Sequence, residues 1–434
     1  MIIHNADVLD TATLTRRTGY DVRIDKGRIT DIVPTEAGHH DPDAIDATGF
    51  YLLPGFVNAH AHTSMAILRG SAEDVDEHAW FNEYLWKYEA NLAPEDVYWG
   101  ALLGAAEMLF AGITTVADHY FMGESIVRAF QEIGIRADFA YTLFGLGDDT
   151  NRKFDEVLRF NDMYRSRFPR ITLSLGPHTP YTCPGPFMKK VVETAHQTHM
   201  KMHIHVSEST EQRDSYLKRY GKTPIAVLAD QGVLEEGTIL GHAAYATEED
   251  LELIATVHAG IVHCPKTYMR FGQLPDILPR ALARGITVGL GTDGDASNGS
   301  YSILESARLG ALLAKSVMLD ATTARIEQVV PLLSHGGATV LGQPDLGSVT
   351  VGAKADLLLV NKQVAALAPE TNVWANLLYA LPEGSIDTVI VDGQTVIRHR
   401  KLQTVDLDTI IQQCNQRAPS LVATRGKAIQ SYPD

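Results

Sequence analysis

Residues 53–62 read Leu-Pro-Gly-Phe-Val-Asn-Ala-His-Ala-His, an apolar run entered through Pro-Gly and ended by two histidines. A run of this length, bounded by turn residues, reads as a buried strand. Working downstream, the same texture recurs in ITTVADHY (113–120), IRADFAYT (135–142), ITLSLGPH (171–178), KMHIHVSE (201–208), TILGHAAY (238–245), AGIVHCP (259–265) and ITVGLGTD (286–293). Between these runs lie amphipathic stretches such as PEDVYWGALLGAAEMLFAG (94–112) and PGPFMKKVVETAHQTHM (184–200). Eight strand–helix alternations predict a parallel sheet, and eight is the number that closes a (β/α)8 TIM-type barrel, placed at 55–345.

Working upstream, residues 1–54 alternate apolar and polar positions in short β segments, with Asp25-Lys26-Gly27 as a hairpin turn and a polar stretch before AIDATGFYLLP. The texture returns in LGSVTVGAKADLLLVN and IDTVIVDGQTVIRHRK, with Asp392-Gly393 as another turn. The expectation is a small β-sandwich domain assembled from 1–54 and 346–402, followed by a helical tail at 403–434.

In a parallel barrel the C-terminal strand ends converge on one face, where side chains distant in sequence become neighbours. His60, His62, His119, His178, His205, Glu208, His242, His263 and Asp293 all fall at such ends. His60 and His62 share a strand face, so both imidazoles can reach one metal ion. An isolated His-x-His is more often packing; its place at the end of an apolar strand argues for use. His203 and His205 also share a face, and His205, nearer the strand end, is the better ligand. Asp293, in Gly-Leu-Gly-Thr-Asp-Gly (289–294), completes a set of three histidines and a carboxylate. That set suits Zn²⁺, with Fe²⁺ as the second choice, far better than Mg²⁺ or Ca²⁺. Glu208, three residues beyond His205, is placed to take a proton from an activated water and pass it on. His242 is a fifth ligand or a donor to the reacting group.

Composition limits the partners. The chain has 434 residues, 45% of them hydrophobic, with 37 Lys+Arg against 53 Asp+Glu and a net charge of −16. An acidic balance argues against nucleic acid and anionic membrane, which attract basic surfaces. No run of 18 apolar residues is present to span a bilayer. The three scattered cysteines form no disulfide framework, so a reduced, cytoplasmic protein is expected.

In combination, PGFVNAHAHTSMAILRG, HIHVSES and LGTDGDASNGS resemble the amidohydrolase superfamily along essentially the whole chain, in the branch of nucleoside and base deaminases and triazine hydrolases. The resemblance implies that His60, His62, His205 and Asp293 bind one metal. The fourth strand ends in Gly176-Pro177-His178 and offers no bridging lysine, which favours one ion over two. Within the branch, the chain is most similar to the S-adenosylhomocysteine/5′-methylthioadenosine deaminases. That likeness gives Trp80, Glu89, Arg152 and His178 to the substrate, Glu89 to the ribose hydroxyls and Arg152 to the substrate's tail. It also implies a homo-oligomer. The expected reaction is hydrolytic deamination of a 6-aminopurine nucleoside, with Glu208, His242 and Asp293 catalytic. The alternatives are another amino-heterocycle (guanine, pterin, cytosine or an s-triazine) and a non-catalytic binding barrel. One stretch departs from the family pattern: after His263 the chain reads Cys-Pro-Lys-Thr-Tyr-Met-Arg in place of Asn-Pro and a Ser-Asn pair. It borders the expected pocket, so substrate contacts are expected to differ there.

Overall fold

The computed structural model describes residues 1–36, 44–147 and 150–428; part of the polar stretch expected after the second hairpin strand and the last six residues of the expected tail lie outside the described residues. All eight expected runs are strands, and all are parallel. Five lie in one sheet, in the order Asp293–Gly294, Phe56–His62, Ile113–Tyr120, Arg136–Leu143, Ile171–Pro177. Four lie in a second, His203–Val206, Ile239–His242, Gly260–His263, Val288–Leu290. The last run is thus split by Gly291-Thr292, its end pairing with the first strand. Backbone bonds link the two sheets on both sides: Leu175 N–H donates to Lys201 O (2.9 Å), Gly291 N–H to His263 O (3.0 Å) and Thr292 N–H to His60 O (3.1 Å). Asn58 and Thr292 also bond side chain to side chain at 2.7 Å.

The strand Phe56–His62 is buried at every position, as strands covered on both faces must be. Helices Pro94–Phe110, Gly123–Ile133, Thr150–Tyr164, Gly185–Thr198, Thr210–Tyr220, Glu248–Val257 and Ile303–Met318 supply the cover. Their starts are encoded locally: Ser209 accepts from Gln212 N–H, and Thr247 forms a capping box with Asp250.

The expected turns at both chain ends are present. Lys26 and Gly27 (φ 47° and 74°), like Asp392 and Gly393 (φ 53° and 71°), have the positive φ pair of a type I′ hairpin. The strands they join belong to one nine-stranded mixed sheet. Its order is Lys401–Leu402, Gln394–Arg398, Ile386–Val391, Leu357–Asn361, Phe50–Pro54, Ile2–Asp10, Thr15–Asp25, Arg28–Pro34, with Ile45–Asp46 beside Ile2–Asp10. Both ends of the chain therefore build one sheet around a core that includes Ile3, Val8, Val22, Leu52, Leu357 and Ile390. Gly55 alone separates the mixed sheet from the first parallel strand. A Cβ there would lie 2.1 Å from Thr114 Oγ1, so no larger residue fits. A buried ion cluster ties the two parts together: Arg136 donates to both carboxylate oxygens of Asp356 (2.8 and 2.9 Å) and to Asp392 (3.0 Å). The helix Leu407–Ala423 closes the chain against Pro94–Phe110, where Arg417 meets Asp96 at 2.9 Å.

Candidate active site

The strand ends do converge. One cavity is lined by His62, His119, His178, His205, Glu208, His242 and Asp293, together with Trp80, Glu89 and the aromatic side chains Phe81, Trp86, Phe144 and Phe271. Two lining residues, His242 (φ 73°) and Asp293 (φ 60°), and Ser207 (φ 51°) and Ala243 (φ 46°) next to Glu208 and His242 in the chain, hold left-handed backbone. Such conformations cost energy in non-glycine residues and cluster where side chains must be aimed.

Three sets of potential ligand atoms lie within 4.8 Å of one another: His60, His62 and Asp293; His60, His205 and His242; His62, His119 and His205. The hydrogen bonds decide which nitrogens are available. His205 Nδ1–H donates to His178 O (2.8 Å), and His62 Nδ1–H donates to His119 O. Each ring therefore turns an Nε2 lone pair inward, and the two Nε2 atoms stand 3.2 Å apart. Asp293 Oδ1 is 3.2 Å from His62 Nε2 and 3.7 Å from His60 Nε2. His60 Nε2 is buried with no hydrogen-bond partner. Lone pairs that face one another and a carboxylate repel unless they share a cation, and Nδ1–H donated to a carbonyl is the usual support of a metal-binding imidazole. The donor set fits one divalent ion.

The electrostatics agree. Burial, and then the neighbouring imidazoles, hold His60 and His205 well below the usual histidine range, so both are neutral. Burial opposes ionisation of Asp293, but the bond to His62 and the charges of His242 and His62 outweigh it, and its pKa falls to about 2. His62 is raised despite burial, because Asp293 and the His119 carbonyl face it. Positive charge is favoured at this point.

Glu208 lies on the cavity wall, where burial, with Glu77 and Asp293 adding to it, pushes its pKa up to about 8. Gln212 clasps it from both sides, Nε2 donating to Oε1 (3.3 Å) and Oε1 accepting from Glu208 N–H (3.1 Å). Glu89 is buried on a cavity wall, its Oε1 accepting from Tyr120 Oη (2.7 Å), and burial raises it to about 7. Trp80 donates to Ala296 O and packs against Phe271, with ring centres 5.7 Å apart. His178 sits between Phe144 (4.9 Å) and His205 (5.0 Å). Arg152 is the exception. It stands in the helix Thr150–Tyr164 with a largely exposed side chain, pairs with Glu156 (2.6 Å), and is absent from the cavity lining.

Three supporting residues escaped the sequence reading. Ser297 donates to Asp293 Oδ2 (3.0 Å). Gln212 carried a faint signal, three residues after the capping serine. Tyr268 comes from the stretch that departs from the family pattern; its hydroxyl accepts from Cys264 N–H (3.2 Å) and lies 3.3 Å from His242 Nδ1. A Tyr268 proton given to His242 Nδ1 puts the imidazole hydrogen on Nε2, the tautomer of a donor, while His242 also stands within ligand distance of His60 and His205. Thr267 from the same stretch, and Phe271 and Gln273 just beyond it, also line the cavity.

Strands that end in inward-facing histidines, with a carboxylate on the last, define a metal-dependent hydrolase site. The chain belongs to the amidohydrolase family, whose model matches residues 51–396. It is 36% identical over 427 residues to a 5-methylthioadenosine/S-adenosylhomocysteine deaminase of Desulforudis audaxviator, covering 97% of this chain and 99% of that one. A protein of the same name from Pelotomaculum thermopropionicum is 37% identical over 380 residues, covering 87% and 88%. Among solved structures, an adenosine deaminase from Xanthomonas campestris with bound zinc superposes with a TM-score of 0.93 at 27% identity, covering 98% of both chains. An atrazine chlorohydrolase from Arthrobacter aurescens complexed with zinc, at 23% identity and a TM-score of 0.88 over 97% and 99% of the chains, shares the fold.

Proposed function

We propose that the protein is a hydrolytic deaminase of 6-aminopurine nucleosides, of the adenosine, 5′-methylthioadenosine or S-adenosylhomocysteine type, releasing ammonia and the inosine derivative. The observation that carries this is one cavity holding both the histidine–carboxylate cluster with Glu208 and, on another wall, the buried carboxylate of Glu89. The names of the relatives weigh the same way, against guanine, pterin, cytosine or triazine chemistry. The scaffold in this reading is a single (β/α)8 barrel over 55–345, supported by the bonds that link the two parallel sheets on both sides. The mixed sheet of 1–54 and 346–402 curls into a sandwich, and 403–434 forms the tail. Three buried, unpaired cysteines suit a reducing cytoplasm.

His60, His62, His205 and Asp293 hold one Zn²⁺. A zinc ion so held supplies Lewis acidity, lowering the pKa of a water at neutral pH. The chain's own groups do the rest. Glu208, clasped by Gln212, takes a proton from the attacking water and delivers it to the ring nitrogen beside the amino-bearing carbon. A C–O bond forms at that carbon, the proton of the new hydroxyl passes to the amino group, the C–N bond breaks, and the group leaves as ammonia. Asp293 remains ionised throughout, oriented by Ser297. His242, an Nε2–H donor, stabilises the charge that builds on the new oxygen substituent. Glu89 accepts from the ribose hydroxyls, while Trp80 and His178 wall the base and sugar.

The test is ammonia release by the zinc-loaded protein from adenosine, methylthioadenosine, adenine, guanine, cytosine, a pterin and a triazine, for wild type and Glu208→Gln. Nucleosides should lead the panel, and the variant should lose about 10³-fold or more in kcat, at the upper part of the range for general acid–base catalysis. A preference for a free base, or a variant of near wild-type rate, overturns the assignment.

A further inference from the structure

The relatives' names cover two nucleosides whose 5′ tails differ in charge: methylthioadenosine carries a neutral methylthio group, S-adenosylhomocysteine an amino acid. Resting on the nucleoside reading above, we propose that this pocket takes neutral 5′ substituents and rejects the amino-acid tail, through the absence of any cation to receive its carboxylate.

The cavity lining contains four carboxylates, Glu77, Glu89, Glu208 and Asp293, and among the described residues neither Lys nor Arg. The stretches outside the described residues, 37–43, 148–149 and 429–434, contain no Lys or Arg either. Cations near the rim are already committed. Lys266 is held by Glu305 (2.7 Å) and Ser300 (2.8 Å), Arg270 pairs with Glu73, and Arg152 pairs with Glu156. The rest of the wall is aromatic, with Phe81, Trp86, Phe121, Phe144 and Phe271. Such a wall suits a hydroxymethyl or alkylthio group. A carboxylate brought among these rings gives up its water for no charged partner, and Glu77 repels it. Whichever wall the tail meets, no Lys or Arg among the described residues lines it to receive the carboxylate.

The ammonium of the same tail meets the opposite situation. Glu77 lines the cavity beside Gln273, whose Nε2 donates to Glu77 Oε2 at 3.0 Å. The penalty therefore belongs to the carboxylate alone, which separates this idea from simple crowding by a long tail. Gln273 and Phe271 follow directly on the stretch that departs from the family pattern, which ends at Arg270.

The experiment compares kcat/KM of the zinc-loaded enzyme on methylthioadenosine, S-adenosylhomocysteine and the decarboxylated analogue 5′-(3-aminopropyl)thioadenosine. Methylthioadenosine should exceed S-adenosylhomocysteine by about 10²-fold, as for a charge buried without its partner. The decarboxylated analogue should come within about tenfold of methylthioadenosine, the cost of no more than one ordinary contact. Gln273→Arg should close the gap at least tenfold, read as the ratio of the two kcat/KM values within the one variant. S-adenosylhomocysteine within threefold of methylthioadenosine in the wild type overturns the charge argument. A decarboxylated analogue as poor as S-adenosylhomocysteine replaces charge by size and equally overturns it. No ammonia from any nucleoside, with turnover of a free heterocycle, instead removes the nucleoside reading beneath it.

Discussion

Glu89 offers the sharpest test of substrate class, because its proposed partners can be deleted on either side of the contact. Its Oε1 already accepts the Tyr120 hydroxyl at 2.7 Å, which fixes the carboxylate and leaves acceptor capacity for two further hydroxyls. Hydrogen bonds to a charged group contribute about 1.5–3 kcal/mol each, so two ribose hydroxyls are worth about 3–6 kcal/mol. At 1.4 kcal/mol per decade, Glu89→Ala should lower kcat/KM for adenosine by ~10²–10⁴-fold. The assay is a double cycle of wild type and Glu89→Ala against adenosine and 2′,3′-dideoxyadenosine. Wild type should discriminate strongly between the two nucleosides, and the variant should barely discriminate. Tyr120 loses its acceptor in the variant and costs some stability, but that loss falls on both substrates alike and cancels in the ratio. Equal loss on both nucleosides would refute the ribose contact and leave Glu89 a structural acid.

Two further outcomes follow from contacts already described. Tyr268→Phe removes the hydroxyl's bonds to Cys264 N–H and His242 Nδ1; losing the second, about 1 kcal/mol, should lower kcat about fivefold with KM and bound zinc unchanged; steady-state kinetics with metal analysis checks this, and an unchanged kcat contradicts it. Arg136→Met should destabilise the fold by about 3–5 kcal/mol, because it strands the Asp356 carboxylate in the interior; urea unfolding followed by fluorescence and by circular dichroism measures it, and a loss below about 1 kcal/mol would show that water reaches the cluster.

The parts of the site that could be read from sequence share one property. His60, His62, His205, His242 and Asp293 each end a contiguous apolar run, so strand periodicity and the convergence of parallel strands were enough to bring them together. Glu208 was legible by proximity to His205. Tyr268, Gln212 and Ser297 were not, because each reaches the site from the first turn or two of a helix, where facing direction depends on how the chain leaves the strand. Arg152 shows the converse failure of spacing alone. It stands near the expected position in sequence, but the helix that starts at Thr150 turns it toward Glu156 on the next turn, an ordinary i,i+4 surface pair. The hairpin turns at both chain ends were legible from their residues. The order in which the two ends share one sheet was not, since it depends on pairings more than 300 residues apart, such as Leu357 with Pro54.

One cavity holds three carboxylates whose environments drive them apart, and that separation assigns them better than position does. Asp293, facing His62 and His242, stays ionised down to about pH 2. Glu208 is pushed to about 8 by burial, with Glu77 and Asp293 adding to it. Glu89, buried but bonded by a phenol, falls between them at about 7. A group that must never change charge, a group that must carry a proton, and a group that must accept from neutral hydroxyls are what deamination of a nucleoside requires. A lysine or arginine on the wall would lower Glu208 and erase the distinction. Burial above all, with Glu77 and Asp293 adding to it, keeps Glu208 a proton carrier, and a variant that places a cation beside it should weaken that property as it admits an anionic tail.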